Sequence, residues 1–347
     1  MSTLHPITII GGGLAGLTLG IGLRQHGVSV KVWEASHYPR HRVCGEFISG
    51  RGQEALARFG LAEAFIESGA VMARTGAFFA GKASSPVRAL PESALCLSRF
   101  TMDSVLARHL RELGGELREN ARWRENEAGE GIVRANGRRV QPVENGWRWF
   151  GLKAHACNVP LTADLEMHVV PNGYVGLCRL HDGEVNICGL FRRPSAAHEA
   201  VRPWQEVLRG GPDTPLRERS GEAVFDEGSF CSVAALSLRP QRASVRRECC
   251  IGDALTMIPP VTGNGMSMAF ESAEIAVGPL VAYARSEILW SEAQQRIARA
   301  CDHAFSRRLA WANVLQWMMF APRLDGCLGS ALLRWEWVWR LMFAKTR

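Results

Sequence analysis

The sequence predicts an α/β protein: an open parallel sheet with flanking helices carries an inserted, mainly antiparallel sheet and ends in a helical segment. Three observations carry that expectation. A strand, a glycine turn, a helix and a second strand follow one another up to residue 34. A further strand–turn–helix stands near residue 252. Between them, from about residue 144 to 240, short alternating strands are punctuated by Asn172-Gly173 and Asp182-Gly183, which are hairpin-turn dipeptides.

The opening stretch ITIIGGGLAGLTLGIGLRQHGVSVKVWEAS carries the most chemistry. Ile7–Ile10 favours a strand, and Gly11, Gly13 and Gly16 follow in GxGxxG spacing. Gly11 permits a tight turn, Gly13 lets the backbone approach a pyrophosphate, and Gly16 allows close helix-to-strand packing. Ala15, Leu19 and Leu23 mark one face of the helix, Gly27 stops it, and Val28–Trp33 alternates as the second strand. Free N–H groups at Leu14 and Ala15 then face phosphates, and Glu34, followed by Ala35, accepts ribose hydroxyls. This is a Rossmann-like unit for the ADP half of FAD or NAD.

The second segment, ECCIGDALTMIPPVTGNGMSMAFESAEIA, places the apolar strand around Cys249-Cys250 before Gly252-Asp253. Pro259-Pro260, a glycine loop Gly263-Asn264-Gly265 and a helix from Met266 follow. Here the chain resembles the flavoprotein family of para-hydroxybenzoate hydroxylase, geranylgeranyl reductase and the flavin-dependent halogenases. The resemblance implies FAD, with Asp253 on the ribityl chain. It sets Pro260, Gly263, Asn264, Gly265 and the helix N-terminus at Met266 against the pyrimidine edge of the ring. The helix dipole would favour negative charge developing there. RVCGEFIS, Arg42 to Ser49, resembles the loop that reductases and halogenases lay over the ring, which carries Arg42, Cys44, Gly45 and Glu46 into the site. Arg99 matches a family arginine that precedes a helix and reaches the flavin phosphates or ribityl chain. In the helix that follows, His109 reads as a packed core residue.

The matches extend over about 300 residues and depart from each subclass. Asn136 and Val140 stand where aromatic hydroxylases carry Asp and Ser, so Asn136 is expected beside the cofactor. WRWFG at Trp147 lacks the Ile-Pro end of the halogenase WxWxIP motif. Of the reductase Tyr-x-Trp-x-Phe-Pro motif, which borders substrate, only Tyr174 remains. Cys44, Glu46 and Tyr174 are the candidate catalytic residues, and no metal site is expected.

The expected division assigns residues 1–70, 96–143 and 241–284 to the FAD-binding domain. Residues 71–95 and 144–240 form the substrate domain's sheet, and 285–347 the C-terminal helical segment. On one face of that sheet Tyr174, Gly176, Cys178, Asn186 and Cys188 line a largely apolar cavity, implying a hydrophobic substrate. Lys153 and His155 are further polar candidates, each read first as structural. The Trp-rich tail, with Arg334, Arg340, Lys345 and Arg347, reads as a helical cap or as a peripheral membrane contact.

Composition excludes other classes. Hydrophobic residues make up 47% and charged residues 22% of 347, an ordinary globular balance rather than a disordered one. The net charge of +7 is scattered as arginine pairs (138-139, 192-193, 246-247, 307-308), which argues against nucleic acid as a partner. Ten cysteines form no CxxC pair, as expected of free thiols in a reducing compartment. The first strand begins almost at once, and no apolar stretch reaches the ~20 residues of a membrane span, so a cytoplasmic protein is expected; a monomer or homodimer is the expected state. The favoured function is a flavin monooxygenase acting on a hydrophobic aromatic or polyketide-like secondary metabolite, reduced by NADH or NADPH. The alternatives are a flavin-dependent reductase of carbon–carbon double bonds and a flavin-binding redox protein without turnover.

Overall fold

Ile7–Ile10 forms strand β1 because its β-branched side chains pack on both faces; Ile7 and Ile9 are completely buried. The computed structural model describes residues 4–81, 83–124, 129–138, 140–196 and 202–320, together with 335, 336 and 340. After β1 come α1 (Leu14–Gln25), β2 (Val30–Trp33), β3 (Phe47–Ile48), α2 (Arg51–Arg58) and α3 (Ala62–Glu67). Next are β4 (Val71–Ala80), β5 (Ala83–Ser84), β6 (Arg88–Cys96), α4 (Arg99–Glu112), β7 (Glu116–Arg118) and β8 (Ile132–Arg134). The middle holds β9 (Trp147–Cys157), β10 (Leu165–Val170), β11 (Gly173–Arg179), β12 (Val185–Pro194), α5 (Trp204–Arg209), α6 (Pro215–Ser220) and β13 (Val224–Ala234). Strand β14 (Cys249–Cys250) and helices α7 (Gly265–Ala284) and α8 (Trp290–Met319) follow.

Two sheets result. The first has the order β14-β8-β1-β2-β7, every pairing parallel, with Ile9 opposite both Val32 and Val133. The second runs β13-β9-β12-β11-β10-β4-β6-β3, with β5 beside β4. It is antiparallel except where β10 meets β4, the seam between the strands of residues 71–96 and those of 147–234. Asn172 and Asp182, both with positive φ, make its turns as their hairpin chemistry predicts.

The helices depart from the simplest reading of their faces. Helix α1 is buried from Leu14 to Leu23 on every side, not on the single stripe of Ala15, Leu19 and Leu23, because it packs between the parallel sheet, α4 and α7. His109 is a correction: it is half-buried at the border of the α4 face, 3.5 Å from Glu112, rather than a core histidine. Helix α8 buries Trp290, Ala293, Ile297, Cys301, Phe305, Leu309 and Ala312 at helical spacing. Its buried Arg308 forks onto Glu271 of α7. Arg334, Lys345, Arg347 and most of the expected tail lie outside the described residues. Among the described residues no helix is long and apolar enough to cross a membrane.

Candidate active site

A cavity of about 540 Å³ runs along the carboxyl ends of the parallel strands. Its middle is built by the first glycine turn. Gly11 has φ of 110°, and a side chain there would overlap the Ala135 carbonyl. A side chain at Gly16 would overlap the Gly11 carbonyl, so Gly16 lies behind the wall and lets α1 pack closely. Gly13 caps α1 with no side chain of its own and open space around it, so the first helical N–H groups at Leu14 and Ala15 border the cavity.

One end of the cavity lies beyond β2. Trp33, Glu34 and Ala35 meet Ala121, Arg122 and Trp123 there, the two tryptophans edge-to-face with centroids 5.2 Å apart. Glu34 is held firmly: Gly12 N donates to one carboxylate oxygen and Ser36 N to the other, both at 2.9 Å. Arg40 lies 2.9 Å and Arg42 3.6 Å from the same carboxylate. The carboxylate expected to take ribose hydroxyls thus also fixes the turn at Gly12. Residues 121–123 carry no local signature; only the pairing of β7 with β2 brings them to this wall.

The other end is built by the second motif. Gly252, with φ of 58°, backs onto Ala15, and its N–H donates to Ser272 Oγ at 2.9 Å. Asp253 turns its carboxyl into the cavity. The enclosing protein pushes it up to about 6, opposed by Arg138 and Arg99. Pro260, Gly263, Gly265 and Met266 line the wall, whereas Asn264 is buried behind it. Gly263 lies against the ring of Phe47, so any side chain there would overlap it. Asn136 lines the floor beside Gly137.

The Arg42–Ser49 loop closes this end. Cys44, Gly45 and Phe47 face the cavity, and Arg42 reaches Asp103 at 3.2 Å. Arg99, the first residue of α4, forks onto Asp103 at 2.8 and 3.0 Å. Burial pushes the Cys44 thiol up, and the adjacent Arg99 guanidinium opposes the shift. Glu46 does not line the cavity. Its carboxylate is buried against Arg99 N, Lys153 and His155. Tyr174 lies in an apolar cluster with Trp149, Leu190, Leu236, Val261 and Phe320, and among the described residues its hydroxyl has no hydrogen-bond partner. The three catalytic candidates therefore occupy three environments: Cys44 the cavity wall, Glu46 a buried ionic cluster and Tyr174 a buried apolar cluster away from the cavity lining. Lys153 and His155, read first as structural, are fully buried members of that ionic cluster.

The cavity fits FAD. A helix N-terminus and glycine turn for a pyrophosphate lie between an aromatic, carboxylate-bearing end and an end closed by a glycine loop. Residues 5–145 match the family described as an FAD binding domain. Over 144 residues the chain is 33% identical to rifampicin monooxygenase of Streptomyces venezuelae, a match covering 40% of this chain and 30% of that protein. The chain thus spans under a third of that relative's length. Among solved structures, the flavin-dependent brominase Bmp2 superposes with a TM-score of 0.75 at 18% identity, over 99% of this chain and 94% of that one. pqsL of Pseudomonas aeruginosa, a probable FAD-dependent monooxygenase, gives 0.70 at 15% identity over 94% and 98%. The glycine turn and the match over residues 5–145 agree that this stretch is similar to an FAD-binding domain, and the chain as a whole shares the fold of the flavin-dependent brominase Bmp2 and of pqsL.

Proposed function

We propose that the protein is a flavin monooxygenase acting on a hydrophobic aromatic or polyketide-like small molecule, with NADH or NADPH as the electron source. The observation that carries the substrate class is the apolar cluster of Trp149, Tyr174, Leu190, Leu236, Leu238 and Phe320 around Val261, with Met257 against it. Met257 also lines the ring end of the cavity. Met257 joins this packed cluster to the cavity, so a ligand at the ring end would meet an apolar neighbour backed by apolar protein, which supports a hydrophobic substrate. The likeness of the FAD-binding stretch to rifampicin monooxygenase supports oxygenation. Bound FAD supplies two-electron chemistry and, once reduced, reactivity toward dioxygen. The chain's own share is to hold the cofactor at Asp253 and the α1 N-terminus and to cover the ring with the Arg42–Ser49 loop, excluding water. On this reading the second sheet is the substrate platform.

One observation favours a second reading, reduction of a carbon–carbon double bond: Cys44 presents a thiol to the ring end beside Arg99, where a proton donor would be needed. Oxygen consumption separates the two. Turnover of an aromatic or polyketide-like substrate with NADPH should consume dioxygen and incorporate one labelled oxygen atom into product. A product two hydrogens heavier, formed in full under strict anaerobiosis, would replace the oxygenase reading with the reductase one.

A further inference from the structure

Behind the ring-side loop lies a chain of charged side chains that the cavity wall does not use. Glu46 stands between Gly45 and Phe47, which line the cavity, yet its own side chain is completely buried in protein. Its φ is 60°, a left-handed conformation that a non-glycine residue keeps only when its surroundings enforce it. The enforcing contacts are ionic. One carboxylate oxygen accepts from Arg99 N at 2.8 Å and lies 3.3 Å from Lys153 Nζ. The other meets His155 Nε2 at 2.6 Å. The opposite nitrogen of that ring, Nδ1, meets Glu184 at 3.0 Å, and Glu184 is half-exposed at the turn before β12. A ring with a carboxylate on each nitrogen donates to both only as an imidazolium.

The remaining neighbours complete this charge set. His41 Nδ1 accepts from Lys153 Nζ at 3.1 Å, and its ring stands edge-on to His155, with centroids 5.1 Å apart. Asp226 and Cys231 face it from β13, Asn186 and Cys188 from β12, and Cys178 from β11. Asn186 also ties the loop directly, donating to the Cys44 carbonyl at 2.9 Å.

We propose that Glu46, Lys153, His155 and Glu184 are positioning residues: an ionic latch that seats the Arg42–Ser49 loop against the flavin ring and needs the charged form of His155 to stay closed. The proposal rests on FAD occupying the cavity and is independent of whether the enzyme oxygenates or reduces. Loss of the His155 proton removes a donor from one of two carboxylates. When the donor lost is the one to Glu46, that buried carboxylate keeps only Arg99 N and Lys153, the hold on its backbone weakens, and Cys44 and Phe47 move with it. Burial disfavours the charged ring, but the Glu184 and Glu46 carboxylates outweigh it and raise His155 above the ordinary imidazole range. The latch is therefore closed while His155 is protonated and both carboxylates are ionised, and it opens as pH rises through that raised value.

The test needs no substrate. FAD-loaded protein is titrated upward in pH while the flavin absorbance spectrum and FAD affinity are followed, with apoprotein melting measured in parallel. The wild type should give one spectral transition above the ordinary imidazole range, with FAD held more weakly on its alkaline side. Glu184→Gln, at the solvent end of the chain and compatible with folding, should move that transition down by about one pH unit, a tenfold loss of proton affinity. Glu46→Gln should abolish the transition and weaken FAD binding roughly tenfold or more. A wild type without the transition, or a Glu184→Gln protein in which only melting changes and the flavin transition stays put, would overturn the proposal.

Discussion

Asp253 holds its carboxyl up at about 6, and this raised value has a consequence in the apoprotein. A group whose folded value lies above its unfolded one contributes stability below the unfolded value and loses it as pH rises through the folded one. Apoprotein melting should therefore fall as pH rises from about 4 to about 6, and Asp253→Asn should flatten that slope. With cofactor, a carboxylate accepting ribityl hydroxyls makes charge-assisted bonds, so Asp253→Ala should cost roughly 1.5–3 kcal/mol of FAD binding by titration. Unchanged affinity would remove Asp253 from the site. Gly11→Ala belongs to the same scale. The left-handed backbone and the Ala135 carbonyl leave no room for a methyl, so strain of about 1–3 kcal/mol should appear as poor FAD retention at purification. Both residues were legible in the sequence because a backbone constraint or a fixed motif spacing names them. Arg122 and Trp123 were not, since nothing local distinguishes them from any basic, aromatic surface stretch.

At the scale of elements, the attachment of α8 to α7 rests on an apolar stripe and one buried ion pair, Arg308–Glu271. Removing one partner leaves a buried charge unpaired. Arg308→Met should cost about 3–5 kcal/mol in denaturant unfolding, and the double change with Glu271→Met should recover most of it. Equal losses in the single and double variants would mean that packing, not the pair, holds the helix. The sequence marks α8 by its spacing but cannot mark its partner. Likewise, the periodicity that places His109 on the inner face of α4 is blind to where that face ends.

Across the whole molecule, the cavity that fits FAD is lined by elements from both ends of the chain, α1 near the start and the Gly252–Met266 stretch near the end. A ligand that binds only the folded state stabilises it by mass action, about 2.7 kcal/mol at roughly 100 times Kd. Stripping the cofactor should therefore lower the melting temperature by several degrees, and adding FAD back should restore it, whereas FMN, lacking the ADP half, should not. By itself the sequence determined the α/β class, the glycine turn, the Gly-Asp motif and the hairpin texture of the second sheet. These are set by backbone geometry and short-range periodicity, which are properties of neighbouring residues. Only the tertiary structure decided that Glu46 turns away from the cavity and that Lys153 and His155 meet it. It also turned Glu34 to brace the Gly12 turn. Those contacts join residues over a hundred positions apart or across a sheet turn, and a charge buried among distant partners leaves no pattern along the chain.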